Sequence, residues 1–470
     1  MKYVIHKLLI ITALSVFCLN IVQAQGWFQT YDITGEKNSL LEEDFPLGLY
    51  SNTSILNNIK PTQDGGYIGL GLDYIGPGTS SLVIGDNGLR LVLVKLDQFG
   101  NQQWATNSSV FYLPPEEKQS YDLVETPAGE YLVASVVNNI GEDDEEGATL
   151  YLNKYDAFGE KIDINFAFDS PFSLTSVQIM AQPNGKYVIS AIFDYGAFYI
   201  SDVEENGNTV GSLWLSDLTN ASELVTNDIV VLENGTSFTT AIGDNQAQIC
   251  AVDEDFWEKW CEVYEAPDSI TNSVTLEGEN ENPLLFLFTG NEVGGDFRML
   301  EIDQSDGNVL QQTDATNDTS FWSDIEGENV RFVDACLKYN GNILLAGIKE
   351  DTTARNNGEE WLSIHITELS NTGTFIENNN YFVFNSADLA DIENVTVERY
   401  VLDILNNDDS FVIGGRGVVY DPSLPFETPD AEVSFLLKVD LTNEIYTTEI
   451  CGTIYDDFSE NCLLESSENG

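Results

Sequence analysis

The chain has 470 residues, of which 78 are Asp or Glu and 19 are Lys or Arg, so its formal net charge at pH 7 is −59. A field of this sign repels the phosphates of nucleic acids and the headgroups of anionic lipids, and no nucleic-acid partner is expected. The same carboxylates keep a protein soluble and attract cations, and composition alone does not choose between these two roles.

The first 24 residues have the pattern of a secretory signal peptide. Lys2 precedes an apolar stretch at 8–22, and the small Ala24 stands at the expected cleavage position. We therefore expect residues 1–24 to be removed and the protein to be secreted or held at the cell surface. Removal takes away Lys2 and Lys7 and no acid, which changes the net charge to −61. No later segment has the roughly eighteen uninterrupted apolar residues of a membrane helix, so no membrane insertion is expected.

Five cysteines follow the signal peptide. Because exported proteins fold under oxidising conditions, cysteines close in sequence are natural disulfide partners. The pairs predicted in this way are Cys250 with Cys261 and Cys451 with Cys462, with Cys336 in neither pair.

A hairpin signature recurs seven times along the chain. In each copy an apolar strand leads into a turn rich in Gly, Asn or Asp and then into a second apolar strand. Asn-Gly and Asp-Gly favour such hairpins because both residues tolerate positive φ. The copies lie at 63–68, 127–132, 183–188, 233–238, 281–285, 339–344 and 407–412.

A second signature follows each hairpin, in which a strand ends in a turn that usually begins with an acid. Asp can accept a hydrogen bond from the backbone two residues later, and Gly takes the left-handed position that closes the turn. The segment 303–308 is the same turn lengthened by one residue. The turns begin at Asp97, Asp156, Glu204, Asp253, Asp303, Ser370 and Asp440.

Each repeat therefore holds two hairpins, which we describe as strands a, b, c and d. Such a sheet has two apolar faces and no core of its own, and radial stacking of several sheets buries both faces. We predict an all-β fold, a β-propeller of about seven four-stranded antiparallel blades, as a single domain over 25–470. A strand near 26–31 would close the ring by joining the last blade. An open solenoid and a pair of β-sandwiches are the alternatives.

The repeat residues resemble a known group of proteins. The sequence Asp-Gly-Gly-Tyr-Ile at 64–68, together with Leu-Val-Lys-Leu-Asp-Gln-Phe-Gly-Asn at 93–101 and Trp104, is similar to secreted repeat propellers common in Bacteroidetes. Many members of that group travel through the type IX secretion system. The resemblance covers nearly the whole mature chain and implies fold and export rather than an activity. Members usually end in a β-sandwich sorting domain, and none is recognisable in this sequence.

The length variation between repeats indicates a candidate binding face. In a propeller the a–b and c–d turns lie on one face and the b–c loops on the other. The a–b and c–d turns are uniformly short, whereas the b–c loops are long in four repeats and short in the third, fourth and fifth. The long loops are predicted at 73–89, 138–148, 349–360 and 417–432. In a closed ring these four repeats are neighbours, so their loops would form one raised, ligand-binding sector.

The predicted sector carries acidic and aromatic residues. Clustered carboxylates suit Ca²⁺, which takes six to eight oxygen ligands, and Ca²⁺ is the only cofactor that the sequence suggests. A solvated acidic loop is the alternative, since the D-x-D-x-D-G spacing of calcium loops is absent. The aromatic residues could stack on sugars or peptides, or pack under their own loops. The candidate ligand-binding residues are Tyr74, Asp143, Asp144, Glu145, Glu350, Asp351, Tyr420 and Phe426.

No catalytic constellation stands out. His365 is the one histidine after the signal peptide, and its alternating strand favours a buried structural role. The Gly100-x-x-x-Trp104 motif, typical of tryptophan-docked quinoprotein propellers, occurs once. The sequence therefore favours an exported, non-catalytic binding or scaffold propeller for a polysaccharide or a protein. The alternative is a divergent polysaccharide hydrolase or lyase whose central funnel is lined by carboxylates or by Arg355, Arg399 and Arg416.

Overall fold

The computed structural model describes most of the repeat region of the chain. The described residues are 27–31, 54–75, 88–112, 120–140, 146–162, 164, 166–170, 173–193, 198–215, 225–266, 269–278, 281–291, 294–314, 329–338, 340–350, 362–382, 395–404, 410–419 and 431–440.

The described residues form 29 strands and seven antiparallel sheets, which we number as units one to seven along the chain. Unit one contains β2 (Ser54–Pro61), β3 (Tyr67–Ile75), β4 (Gly88–Leu96) and β5 (Gln102–Tyr112). Unit two contains β6 (Tyr121–Glu125), β7 (Tyr131–Ile140), β8 (Glu146–Tyr155), β9 (Lys161–Ile162) and β10 (Ala167–Ser170). Unit three contains β11 (Leu174–Ala181), β12 (Tyr187–Phe193), β13 (Phe198–Val203) and β14 (Thr209–Leu215).

The remaining units follow the same order. Unit four contains β15 (Val225–Val231), β16 (Ser237–Gly243), β17 (Gln246–Val252) and β18 (Glu258–Glu265). Unit five contains β19 (Ile270–Glu277), β20 (Pro283–Asn291), β21 (Gly294–Ile302) and β22 (Val309–Asp314). Unit six contains β23 (Asn329–Leu337), β24 (Ile343–Glu350), β25 (Leu362–Leu369) and β26 (Phe375–Phe382). Unit seven contains β27 (Val395–Ile404), β28 (Ser410–Val419) and β29 (Ala431–Asp440), and β1 (Trp27–Tyr31) pairs with β29 at its outer edge.

The first strands of the units form a closed ring. Each of β2, β6, β11, β15, β19 and β23 contacts the first strand of the next unit, and β27 contacts β2. The later strands of each unit lie progressively further from the centre, in the order in which they pair. The protein is therefore an all-β β-propeller with four-stranded antiparallel blades.

The prediction of about seven four-stranded blades is correct only in part. Six sheets have four strands, whereas unit two has five because its outer strand is split into β9 and β10, both of which pair with β8. Between them the chain turns inward, and the side chains of Ile164 and Phe166 pack into the core that units two and three share. Burying these two apolar side chains interrupts the ladder at the outer edge.

The apolar residues of the middle strands explain why the units stack. Every side chain of β12 and β13 is buried, whereas most of β14 is exposed. One face of this sheet packs with residues of unit two, such as Leu150, and the other face packs with residues of unit four, such as Cys250. A strand covered on both faces reads as a continuous apolar run, which is the pattern seen in the sequence.

The predicted Cys250–Cys261 disulfide is confirmed. The two residues are direct partners in the ladder between β17 and β18, with Cα atoms 4.1 Å apart. Cys336 lies half-buried on β23. Cys451 and Cys462 lie outside the described residues. In the part of the chain that the structure describes, no helix has the length and apolar character needed to cross a membrane.

Candidate functional site

The a–b and c–d turns lie together at one end of the blades, which we call the tight-turn face. The carboxylate of Asp97 accepts hydrogen bonds from the backbone N–H groups of Phe99 and Asn101 at 2.8 and 2.9 Å. Asp156 is bonded in the same way in unit two. Burial acts to raise the pKa of Asp97, but a hydrogen bond from the side-chain amide of Asn101, together with the two from the backbone, outweighs it and lowers the pKa. The turn acids thus stabilise the turns, as their spacing predicted, and the longer turn at 303–308 closes as predicted.

Lysines on the tight-turn face are held in ion pairs. Lys154 on β8 contacts Glu130 of its own unit at 2.5 Å and Glu205 of unit three at 2.6 Å. Burial acts to lower the pKa of Lys154, but its hydrogen bonds to the two glutamates raise it. Lys95 donates to Asp64 at 2.9 Å in a similar arrangement. These charges bind neighbouring turns together within the protein.

Aromatic side chains join neighbouring turns at the outer rim of this face. Trp104 donates its indole N–H to the carbonyl of Ala157 in the next unit at 3.0 Å, and its ring lies against Gly159. Trp260 repeats the arrangement and donates to the carbonyl of Gln304 at 3.1 Å. The sequence motif revealed only Trp104, because Trp260 follows a turn that carries Phe256 where the motif requires glycine.

Three aspartates occupy one register position in the first strands of units two, four and six. Asp122, Asp228 and Asp334 pair with Ala134, Thr240 and Ala346. The second carboxylate oxygen of Asp122 accepts a hydrogen bond from the backbone N–H of Ile179 at 2.9 Å, and that of Asp228 accepts one from Thr275 at 2.7 Å. Both donors belong to the next unit, so these carboxylates join the blades at the inner edge of the ring.

The carboxylate of Asp228 is buried at the inner edge of the ring, where the blades of a propeller surround its central channel. Burial raises the pKa of Asp228 to about 7, against the lowering effect of the Thr275 hydrogen bond and the positive charge of Lys60, while Asp334 adds to the increase. Lys60 and Asp334 belong to units one and six, so they reach Asp228 across the centre of the ring. Lys60 lies 3.9 Å from Asp122, and its side chain is 42% exposed.

Sequence reasoning did not identify these channel acids. The available signal was a polar residue inside each of three apolar first strands, at a fixed distance before the a–b turn. Because acidic residues are so frequent in this chain, that signal did not separate them from the rest.

The opposite end of the blades, which we call the hairpin-tip face, is uneven. The second and third strands each have 10 residues in units two and seven, 9 in units one and five and 8 in unit six, but 7 and 6 in unit three and 7 each in unit four. In unit four, Asp244 and Asn245 alone connect the two strands. At about 3.3 Å per residue, three additional residues extend a hairpin by about 10 Å.

The bounds predicted for the long loops are too wide. In unit two the ladder continues through the pair of Ile140 and Glu146, inside the predicted 138–148 loop. The same holds in units one, six and seven, where pairing continues into each predicted loop. Polar and glycine residues occur there in paired strands, because hydrogen bonding between backbones does not depend on apolar side chains.

Two of the predicted ligand-binding residues lie in described strands. Tyr74 lies on β3 and pairs with Leu89, and Glu350 is the last residue of β24. Both are thus at the hairpin-tip end of their units. The other six candidates, Asp143, Asp144, Glu145, Asp351, Tyr420 and Phe426, lie outside the described residues.

His365 is buried, as predicted. Its side chain is 1% exposed, its Nε2 lies 3.0 Å from the hydroxyl of Thr367, and its ring meets Phe332 edge to face. Within the described ranges no group of three or more His, Cys, Asp or Glu side chains is arranged to hold a metal ion. The guanidinium of Arg298 is engaged by the carboxylate of Asp314 at 2.6 Å.

Comparisons with known proteins place the chain in no family. No protein family model matches the chain, and no curated protein sequence matches it. A solved structure of unknown function from Dyadobacter fermentans is 12% identical, with a TM-score of 0.44, and the match covers 83% of this chain and 98% of that one. A protein of unknown function from Bacteroides caccae is 13% identical, with a TM-score of 0.35 and coverage of 66% and 93%. A lignostilbene dioxygenase from Pseudomonas brassicacearum is 8% identical, with a TM-score of 0.42 and coverage of 81% and 92%. Similarities this low carry no functional argument.

Proposed function

We propose that this protein is an exported, non-catalytic binding scaffold that holds a polysaccharide or a protein on its hairpin-tip face. It would act outside the cell or at its surface after cleavage of residues 1–24. The observation that carries the proposal is the difference between the two ends of the blades. The turn acids, Lys95, Lys154, Trp104 and Trp260 of the tight-turn face are engaged in internal contacts, whereas hairpins of unequal height form the hairpin-tip face.

The taller hairpins support one continuous binding sector. Units five, six, seven, one and two are consecutive in the closed ring, and their second and third strands are longer than those of units three and four. A tall sector beside a low one forms a step, and connecting loops on a rigid scaffold are the usual location of ligand-binding residues. The candidate residues Tyr74 and Glu350 lie at this end, in units one and six.

Cation binding is a further part of this proposal. The sequence Gly-Glu-Asp-Asp-Glu-Glu at 141–146 supplies clustered carboxylates at the tip of unit two, one of the tallest units. Ca²⁺ bound there would lower the repulsion between these acids.

A polysaccharide-active enzyme with its site in the central channel is the second candidate. In its favour, the pKa of Asp228 is raised by burial and by the charge of a second acid, Asp334, and raised carboxyl pKa values are a feature of acid–base sites. Against it, both oxygens of Asp228 already accept backbone hydrogen bonds, from Ile229 and Thr275. An acid used in this way to join blades is poorly placed to exchange protons with a substrate, so we favour the binding scaffold.

The test removes the hairpin tips one at a time. In separate variants, residues 76–87, 141–145 or 420–430 are replaced by Asp-Asn, the connection that unit four already uses between β16 and β17. Binding to laminarin, xylan, mannan and alginate is measured by affinity gel electrophoresis, in EDTA and again in CaCl₂. Binding to immobilised peptides is measured in parallel. The control is a variant in which the short Asp244-Asn245 connection is replaced by Asn-Gly.

We expect at least one tip variant to lose binding while it keeps the unfolding midpoint of the wild type, and the unit-four control to bind normally. Retained binding in all three tip variants would contradict the proposal. New reducing ends released from a polysaccharide, and abolished by Asp228→Asn, would favour the enzyme instead.

A further inference from the structure

Four aromatic rings meet where unit two contacts unit three, at the hairpin-tip end of the blades. Trp214 on β14 pairs in register with Tyr199 on β13, and their ring centroids are 5.3 Å apart. Phe193, the last residue of β12, stacks on Trp214 with centroids 4.9 Å apart and planes at 18°. Phe168 of unit two stacks on Tyr199 at 4.4 Å and 13°. The indole is thus fixed by neighbours from two units.

Trp214 differs from its neighbours in exposure. Phe193 and Tyr199 are 0% and 4% exposed, whereas Trp214 is 50% exposed. Phe193 covers one face of the indole in a nearly parallel stack, and Tyr199 and Phe168 meet the ring at steeper angles of 63° and 58°, yet half of Trp214 remains open to solvent. The result is a flat aromatic surface that faces solvent and is held from behind.

The step between the two units leaves this surface open. The hairpin of β7 and β8 rises beside the shorter hairpin of β12 and β13. The outer strand of unit two is also interrupted where Ile164 and Phe166 turn into the core. Unit two consequently has only the short β10 at the position where a full outer strand would lie beside Trp214.

Trp214 differs from Trp104 and Trp260 in the hydrogen bonding of its indole N–H group. The indole N–H groups of Trp104 and Trp260 each donate to a carbonyl of the next unit. No acceptor for the indole N–H of Trp214 occurs among the described residues. Half of the indole stays in water and forgoes the stabilisation of burial, although three aromatic rings hold it in one orientation.

We propose that Trp214 is the stacking platform for one pyranose ring of a neutral polysaccharide. The C–H groups on one face of a pyranose carry partial positive charge and contact the electron-rich face of an indole, while the sugar hydroxyls stay in water or bind polar neighbours. Ser212, exposed and on the same side of β14 as Trp214, offers a hydroxyl for this purpose. This proposal rests on the proposed function and specifies its ligand.

The net charge selects among glycans. At −59 the protein repels uronates and sulfated chains over distances of about 10 Å at ordinary ionic strength, so an uncharged polymer is the one that can approach. A chain lying across the tall units one and two reaches Trp214 at the border with unit three. This places the platform at the edge of the proposed binding sector.

The experiment compares two exposed tryptophans. Trp214→Ala removes the platform, and Trp257→Ala is the matched control because Trp257 is 70% exposed but lies in the c–d turn of unit four, on the tight-turn face. Trp214→Phe retains an aromatic face. Affinity gel electrophoresis with laminarin, xylan and mannan measures binding, with alginate as the anionic contrast. The thermal midpoint of each variant checks folding.

We expect a neutral polysaccharide to retard the wild type. Trp214→Ala should weaken that binding about tenfold, as the loss of one aromatic stacking contact predicts, while Trp257→Ala leaves it unchanged and Trp214→Phe restores most of it. Equal retardation of wild type and Trp214→Ala would overturn the platform but leave the binding scaffold intact. Binding of alginate alone would overturn the choice of a neutral glycan. Loss of peptide binding in Trp214→Ala, with no polysaccharide bound by the wild type, would reassign the platform to a protein ligand.

Discussion

The blades are joined at the outer rim by shape and at the central channel by charge. At the rim, the large Trp104 of unit one lies against the small Gly159 in the turn of unit two. Between units three and four the large and small residues change places: Gly211 is on the outer strand of unit three, and Phe256 in the turn of unit four lies against it. At the channel, a carboxylate such as that of Asp228 accepts a hydrogen bond from the next unit's backbone.

This difference determines what each joint tolerates. A joint made by shape accepts different residues as long as the two sizes remain complementary, and it is insensitive to pH. A joint made by a buried carboxylate depends on one residue type and on its protonation. The rim should therefore respond to changes in side-chain volume, and the channel should respond to pH.

The largest expected effect is at the rim, for Gly159→Ala. Gly159 has φ +83°, and a Cβ there would lie 2.7 Å from Cε3 of Trp104. The left-handed backbone costs alanine about 1 kcal/mol, and overpacking adds about 1–3 kcal/mol, so we expect a loss of about 2–4 kcal/mol in the free energy of unfolding. The control is Gly129→Ala in the same unit, where φ is +76° and no atom lies within 4 Å. It should cost only about 1 kcal/mol in urea unfolding, and equal losses would mean that Trp104 contributes no shape constraint.

We expect the Asp228 carboxyl group at the channel to make the free energy of unfolding depend on pH. The pKa of Asp228 is raised from 3.8 to about 7 in the folded protein, so the folded state binds the proton more tightly and its stability falls as pH rises between these values. From pH 5 to pH 8 the wild type should lose about 2–3 kcal/mol that the Asp228→Asn variant does not lose.

The matched control for this term is Asp97→Asn at the rim. The pKa of Asp97 is lowered, so its contribution is present above the unfolded pKa and is lost only as pH falls below it, outside the pH 5–8 window. Urea unfolding at several pH values measures all three proteins. A wild-type profile parallel to that of Asp228→Asn would rule out the channel carboxylate as the pH-sensitive group.

The smallest expected effect tests the exchange of sizes at the rim. Phe256 has φ 67°, unusual for a residue with a side chain, and its ring lies 3.4 Å from where a Cβ of Gly211 would be. Phe256→Gly relieves the backbone but loses packing, for a net cost of about 1–2 kcal/mol, and Gly211→Trp alone should clash with the phenylalanine. The double variant recreates the Trp104 arrangement and should recover about 1–2 kcal/mol relative to the sum of the single changes. A double-mutant cycle measures this coupling, and additive effects would refute the exchange.

The repeat residues made most of the architecture predictable. Asn-Gly and Asp-Gly turns and the turn acids, such as Asp97 and Asp303, report local conformation, which is encoded within a few residues. Cys250 and Cys261 lie close enough in sequence to indicate their pairing. The split outer strand of unit two was not predictable, because it depends on Ile164 and Phe166 finding space in a core formed with unit three.

The candidate site was less predictable than the fold. Loop length indicated the hairpin-tip face, but loop bounds based on polar residues were too wide, since the backbone ladder continues through them. Trp214 did not stand out, because an aromatic residue in a strand is ordinarily buried. Its exposure depends on the height of the neighbouring hairpin, which belongs to a different repeat.

The sequence by itself determined the all-β class, the hairpins, their turns and one disulfide, because each depends on residues within one repeat. Tertiary structure alone decided which side chains meet between repeats: the partners of Trp104 and Phe256, the position of Asp228 opposite Lys60, and the exposed face of Trp214. Among these, the contacts between repeats join residues 45 or more positions apart. They arise only when the ring closes, and no local pattern of residues encodes the distance across it.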